Sequence, residues 1–186
     1  MNEQLSGCRV KGGIIRAHLD CARETLGEEG VAKVIGQLSA AAAQEVRAAL
    51  SSTWVSFQTL MVLDRAIVAA AGPRASMRDL GRFSAKQNLS TTYRAFQRAG
   101  IHDFFRRSAS LHDQFQDFGR EEYVQAGEQA GRIIHHEYRC FSADYCESAR
   151  GYYEVVMEMH GGKQVSATHP QCVARGAREC VFELRW

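Results

Sequence analysis

Four side chains that bind soft or borderline metals, Cys146, His169, Cys172 and Cys180, crowd the C-terminal end of this chain. They constrain the fold strongly. A tetrahedral site needs its thiolate or imidazole ligands within bonding distance of one ion, and four protein ligands leave no open coordination position. Such a site is structural, and it must bring three separate segments together. Zinc is the metal this donor set predicts; buried free thiols, or disulfide or redox use, are the other readings of the same residues.

The chain has 186 residues, enough for one domain with a sizeable core. Its 23 basic and 21 acidic side chains leave a formal charge of +2. That balance gives no strong field for nucleic acid or an anionic membrane. The beginning of the chain lacks the apolar run of a secretory signal. The most apolar stretch, from Val62 to Ala71, contains Asp64 and Arg65 and is far too short to span a bilayer. A cytoplasmic protein is expected, and in that compartment the six cysteines serve metal binding or burial rather than a disulfide framework.

Apolar spacing predicts a helical front half. Gly12-Gly13 opens a stripe of Ile14, Ile15, His18, Leu19, Ala22 and Leu26 that closes at Gly27. Helices are expected over Gly30 to Leu38, after Ser39 as N-cap, from Trp54 to Ala71, beyond Ser76, and from Asp103 to Phe118. After Gly119 the period changes. β-like runs surround Tyr123-Val124 and Arg132 to His135, followed by a helix from Asp144 to Met159. Lys163 to Thr168 and Cys180 to Trp186 read as two strands joined at Arg175-Gly176. The fold class is therefore α/β of the α+β kind, a single domain over 1–186. Its helical N-terminal half packs against a small antiparallel sheet with a late helix and a C-terminal β-hairpin. On this map Cys146 projects from the first turn of the late helix, where amide dipoles favour a thiolate. The other three ligands sit at the adjoining strand ends, so a metal would staple helix to hairpin.

The segment from Cys172 to Glu183, CVARGARECVFE, resembles the closing motif of the 4-vinyl-reductase-type ligand-binding domain, within the nitric-oxide-signalling and Golgi-transport ligand-binding superfamily. In the phenol-sensing regulators of that group the zinc ligands are a helix Cys, a Glu, and two Cys flanking a glycine turn. The cysteines match Cys146, Cys172 and Cys180, and the Glu position falls on His169. Val10 to Gly13, Trp54, Leu80-Gly81-Arg82 and Thr92 to Phe96 are similar to a myxobacterial paralogous family of unassigned function in the same superfamily. The resemblance implies structural zinc, a dimer, and a cavity for a small apolar or aromatic ligand.

Trp54, Phe57, Tyr93, Phe96, His102, Phe105 and Tyr152 are the candidate pocket residues, although a dry core uses the same aromatic surfaces. The chain shows no phosphate loop, serine elbow, HExxH or CxxC pair. His135 and His136 alternate along a strand and face opposite sides. His102 and His112 carry no haem-attachment motif, and Glu137 and Asp144 read as solvated charges. The expected function is a non-enzymatic sensory or binding domain that signals through a separate partner. A protein-interaction scaffold like the Golgi-tethering components and an accessory reductase-like enzyme are the alternatives. Alanine-rich Ala40 to Ala49 and the Trp54 helix are the surfaces expected to pair in a homodimer.

Overall fold

The computed structural model describes residues 3–90 and 100–186. Arg9–Lys11 (β1) pairs antiparallel with Trp54–Ser56 (β2) and runs directly into a helix over Gly12–Gly36 (α1). Gly27, at φ 72°, kinks α1 instead of ending it, a backbone conformation that a Cβ would strain. Ser39 caps Ala40–Ala48 (α2), its Oγ accepting from Ala42 N at 3.2 Å. The helix expected from Trp54 starts later, because Trp54, Val55 and Ser56 are spent on β2 and Ser56 caps Phe57–Ala71 (α3). The β-branched and aromatic pair favours the extended strand. Lys11 Nζ lies 3.9 Å from the Trp54 ring centroid, a cation–π contact on the outside of the fold.

Met77–Ser90 (α4) follows, and Tyr93 and Phe96 lie outside the described residues. The long helix expected from Asp103 to Phe118 is instead Ile101–Ser110 (α5) and a 3-10 turn at His112–Gln114. Ser108 and Ser110 bond back to the carbonyls three residues earlier, which competes with helix continuation. The second half comprises Arg120–Gly127 (β3), Ala130–His136 (β4), Ala143–Met159 (α6), Ser166–Gln171 (β5) and Cys180–Arg185 (β6). The four strands form one antiparallel sheet in the order β3-β4-β6-β5. The architecture is thus α+β, a helix-rich front against a small antiparallel sheet with a late helix and C-terminal strands.

Register decides what the sheet offers the helices. Glu121, His135 and Cys180 stand opposite one another across β3, β4 and β6, and so share a face. Ile133 and Phe182 form the next buried pair on that face. α6 lies against β5 and β6, α4 packs on α6, and α1 packs on both α4 and α3. The crossing of α4 and α6 is made backbone to backbone. A Cβ built on Gly81 would sit 1.8 Å from Ser148 O, and one on Gly151 2.0 Å from Arg78 O. α2 buries Ala42, Ala43 and Val46, and α3 buries Phe57, Leu60, Met61, Leu63 and Ile67 within the protomer. The apolar faces of both helices are therefore buried inside the protomer, while Ala40, Ala41, Gln44, Arg47 and Ala48 of α2 stay exposed.

Cys8 and Cys140, both buried, form a disulfide between the strand-leading segment and the loop before α6. The expectation of metal binding or plain burial for every cysteine is corrected at this pair. Their sequence separation of 132 gives no local signal, since only the folded chain brings them together. Closing so long a loop restricts the unfolded ensemble, an effect of about 2–5 kcal/mol. The double variant Cys8→Ala, Cys140→Ala is expected to lose stability of that order in urea unfolding. Identical curves for the parent with and without a reducing agent would show that the thiols are unpaired in solution.

Candidate functional site

Two sites share the wall formed by α6 and the sheet. The first is the cysteine–histidine cluster. Cys146 lies in the first turn of α6, whose N-cap Ser142 accepts from Asp144 N. His169 lies in β5, Cys172 follows that strand, and Cys180 opens β6. Their ligand atoms all lie within 4.8 Å of one another, and the three cysteines are buried. Cys146 Sγ and Cys180 Sγ are 3.8 Å apart. That is the edge of a tetrahedron with bonds of about 2.3 Å to a central zinc, and far beyond a disulfide bond.

The electrostatics suit a cation. Hydrogen bonding from Cys146 draws the Cys172 thiol down to about 6 and Cys180 to about 4, while Cys146 is pushed up as the partner that keeps its proton. The Cys180 sulfur also accepts from Val173 N at 3.4 Å. His169 stacks on Phe182 with centroids 4.2 Å apart, and its Nε2 is buried with no hydrogen-bond partner. A buried imidazole nitrogen without a hydrogen-bond partner beside three thiols is a donor set able to hold a metal ion.

The second site is a partly open cavity of about 130 Å³ between the front helices and the sheet. Ile14, Phe105, Phe115, Tyr145, Ala149 and Tyr152 give its apolar and aromatic walls, and His18, Ser84, His112, Gln116, Glu121 and His135 its polar ones. His18 Nδ1 lies 2.6 Å from Asp64 Oδ1, both groups buried. His112 Nε2 meets the Tyr138 hydroxyl at 2.8 Å, and His135 Nε2 meets the Tyr153 hydroxyl at 2.9 Å. Burial pushes His112 below its ordinary pKa and holds Tyr138 and Tyr153 well above theirs. A wider cleft of about 530 Å³ runs alongside, sharing Ile14, Asn88 and Phe115 and lined further out by Lys11 and Arg16.

Of the expected pocket residues, Phe105 and Tyr152 line the cavity. Phe57 packs edge-on against Phe118 and Tyr145 in the core, and Trp54 lies under Lys11. His102 is held by the Tyr123 hydroxyl at 2.6 Å and by the Glu128 carbonyl at 2.9 Å and is not part of the cavity lining. Asp144 pairs with Arg65, away from Glu137. The His18–Asp64 pair carries a weak signal in the sequence, since both residues interrupt apolar runs. Ser84, Gln116 and Glu121 gave none.

No family model matches the chain, and no curated protein does. Solved structures do. An oxygen-binding H-NOX domain related to soluble guanylate cyclases, in its oxygen complex, superposes with a TM-score of 0.70 at 13% identity, covering 94% of each chain. The fold is the H-NOX fold. An H-NOX protein from S. oneidensis in the Fe(II)NO state gives 0.69 at 13%, over 94% of this chain and 98% of that one. A structure from work on haem distortion in the H-NOX family gives 0.67 at 12%, over 95% and 94%. This corrects the expected kinship with the 4-vinyl-reductase-type domain, its Golgi-tethering branch and the myxobacterial family. The physical reason is the shortness of the motif. Two thiols around a glycine turn specify a local metal clip, which does not by itself define the family of the surrounding fold.

Proposed function

We propose that this chain is a non-enzymatic sensory or binding domain of H-NOX fold. Its cavity takes a small molecule, and Cys146, His169, Cys172 and Cys180 hold a structural zinc ion. One observation carries the reading. Four buried polar side-chain atoms among the described residues have no partner: Asp64 Oδ2, Ser84 Oγ, Gln116 Oε1 and His169 Nε2. Buried polar groups are normally satisfied. Ser84 and Gln116 line the cavity, Asp64 supports its His18, and His169 belongs to the cluster. Zinc suits a closed, buried set of three sulfurs and one nitrogen.

Haem, named for one of the similar structures, does not fit here. A cavity of about 130 Å³ is the size of a single ring, and a tetrapyrrole needs several times that space. The backbone contact of α4 on α6 at Gly81 and Gly151 closes one side. His102 lies outside the cavity with both ring nitrogens engaged, the Nε2 atoms of His112 and His135 are engaged by tyrosines, and His18 Nε2 faces a space too small for the macrocycle. The described lining of the outer cleft includes no imidazole or thiol.

Sensing follows from the shared wall. α6 contributes Tyr145, Ser148, Ala149, Tyr152 and Tyr153 to the cavity and Cys146 to the cluster. Phe182 contacts His135 on one side and stacks on His169 on the other. A ligand that favours one placement of α6 shifts the helix packing through these contacts. A scaffold role predicts an exposed apolar patch, and among the described residues Leu50 and Met159 are the large exposed apolar side chains. Among those residues, too, no helix is long and apolar enough to cross a membrane.

Native mass spectrometry of freshly purified protein tests the proposal. One zinc per chain and an added organic mass are expected. Absence of metal overturns the clip. Absence of an organic mass, together with no saturable binding of single-ring aromatics, overturns the cavity reading.

A further inference from the structure

We propose that the cavity selects a ring-sized aromatic molecule that donates hydrogen bonds and carries no negative charge, gripped by Gln116, Ser84 and His18. This rests on the cavity reading above and adds its ligand class. Size comes first. About 130 Å³ compares with the roughly 150 Å³ of an apolar cavity that admits benzene. The walls Phe105, Phe115, Tyr145 and Tyr152 supply aromatic surface for one ring.

Polarity then separates one kind of ring from another. Gln116 Oε1 is an acceptor without a donor, and Ser84 Oγ is also unpartnered. His18 Nδ1 lies against Asp64 Oδ1, so Nε2 is the ring nitrogen left for the cavity. Acceptors therefore dominate the grip.

Charge excludes anions. No Lys or Arg is among the described residues lining the cavity. Glu121 lines it, with a carboxylate oxygen 3.3 Å from the Tyr153 hydroxyl and 3.4 Å from His135 Nε2. Asp64 is buried directly behind His18. A bound carboxylate would be desolvated and would face these acids without a cation. A neutral amine or hydroxyl on a ring instead meets the acceptors it needs.

The test uses aniline, toluene and benzoate, three molecules of similar size, titrated calorimetrically into the full chain as purified. Aniline is uncharged at pH 7 and donates two hydrogen bonds, toluene donates none, and benzoate is an anion. Aniline is expected to bind at least about tenfold more tightly than toluene, the scale set by leaving a buried acceptor unpaired. Benzoate is expected to show no saturable binding. In the double variant Ser84→Ala, Gln116→Leu, the aniline affinity should fall to that of toluene, while toluene binds as well or better. Retained toluene binding shows that the variant cavity is intact. Toluene equal to aniline in the parent, saturable benzoate binding, or a preference that survives the double variant would overturn the donor class and leave the cavity standing. If none of the three binds, the cavity is not a ligand site, and the broader functional reading falls with it.

Discussion

The Cys172→Ala protein is expected to purify with well under one metal ion per chain and to melt about 10 °C or more below the parent. The proposed clip would join α6 to the C-terminal hairpin through Cys146, His169, Cys172 and Cys180. Metal affinity of a site absent from the unfolded chain is folding free energy, approaching ~10 kcal/mol for complete structural zinc sites. Losing one ligand of four forfeits several kcal/mol of it. In a chain of this size each kcal/mol moves the midpoint by about 2–4 °C. Cys21→Ala is the control, because Cys21 is buried and free but outside the cluster. It is expected to keep full metal content and to lose only what a small buried side chain contributes. Metal analysis with thermal melts, each with and without chelator, decides the matter. Unchanged metal and midpoint in Cys172→Ala would show that the cluster holds no ion.

Gly81→Ala and Gly151→Ala are each expected to destabilise the fold by about 3 kcal/mol, against the sign that helix propensity gives. Propensity alone favours alanine over a mid-helix glycine by about 1 kcal/mol. Here the new Cβ would lie 1.8 Å from Ser148 O or 2.0 Å from Arg78 O, both backbone atoms that cannot swing aside. α4 and α6 must separate, which places the change at the upper end of the ~1–3 kcal/mol overpacking range. Separation also loosens the Glu154 carboxylate from Arg78 and Arg82, the ion pairs that tie the same helices. Gly36→Ala is the contrasting control, since its Cβ would meet nothing within 4 Å. Denaturant unfolding of the three variants reads the result. A stability gain in Gly81→Ala or Gly151→Ala would mean that the helices do not cross in contact.

Much of the candidate metal centre was legible in the residues, because ligand chemistry is carried by residue type and three of its four members lie close in sequence. The elements were legible where periodicity was long and capping explicit, as in α2 after Ser39 and α6 before its glycine pair. They are not legible where a short strand borders a helix. Trp54 continues the apolar pattern of α3, and only its pairing with Lys11 shows that it is extended. The aromatic residues could not be sorted by type. Phe105 lines the cavity and Phe57 fills the core, a difference set by which neighbours each side chain meets.

The sequence by itself determined the α+β layering, the donor set of the candidate metal centre and the segments that bear it. These follow from local periodicity, turn residues and side-chain chemistry. Tertiary structure alone decided the Cys8–Cys140 bridge, the contact of Gly81 and Gly151 with facing backbones, and the cavity bounded by His18, Ser84 and Gln116. Each is a meeting of residues far apart in the chain. Whether a space between packed helices is filled or hollow depends on side-chain volumes converging from several elements, and no local pattern records that sum.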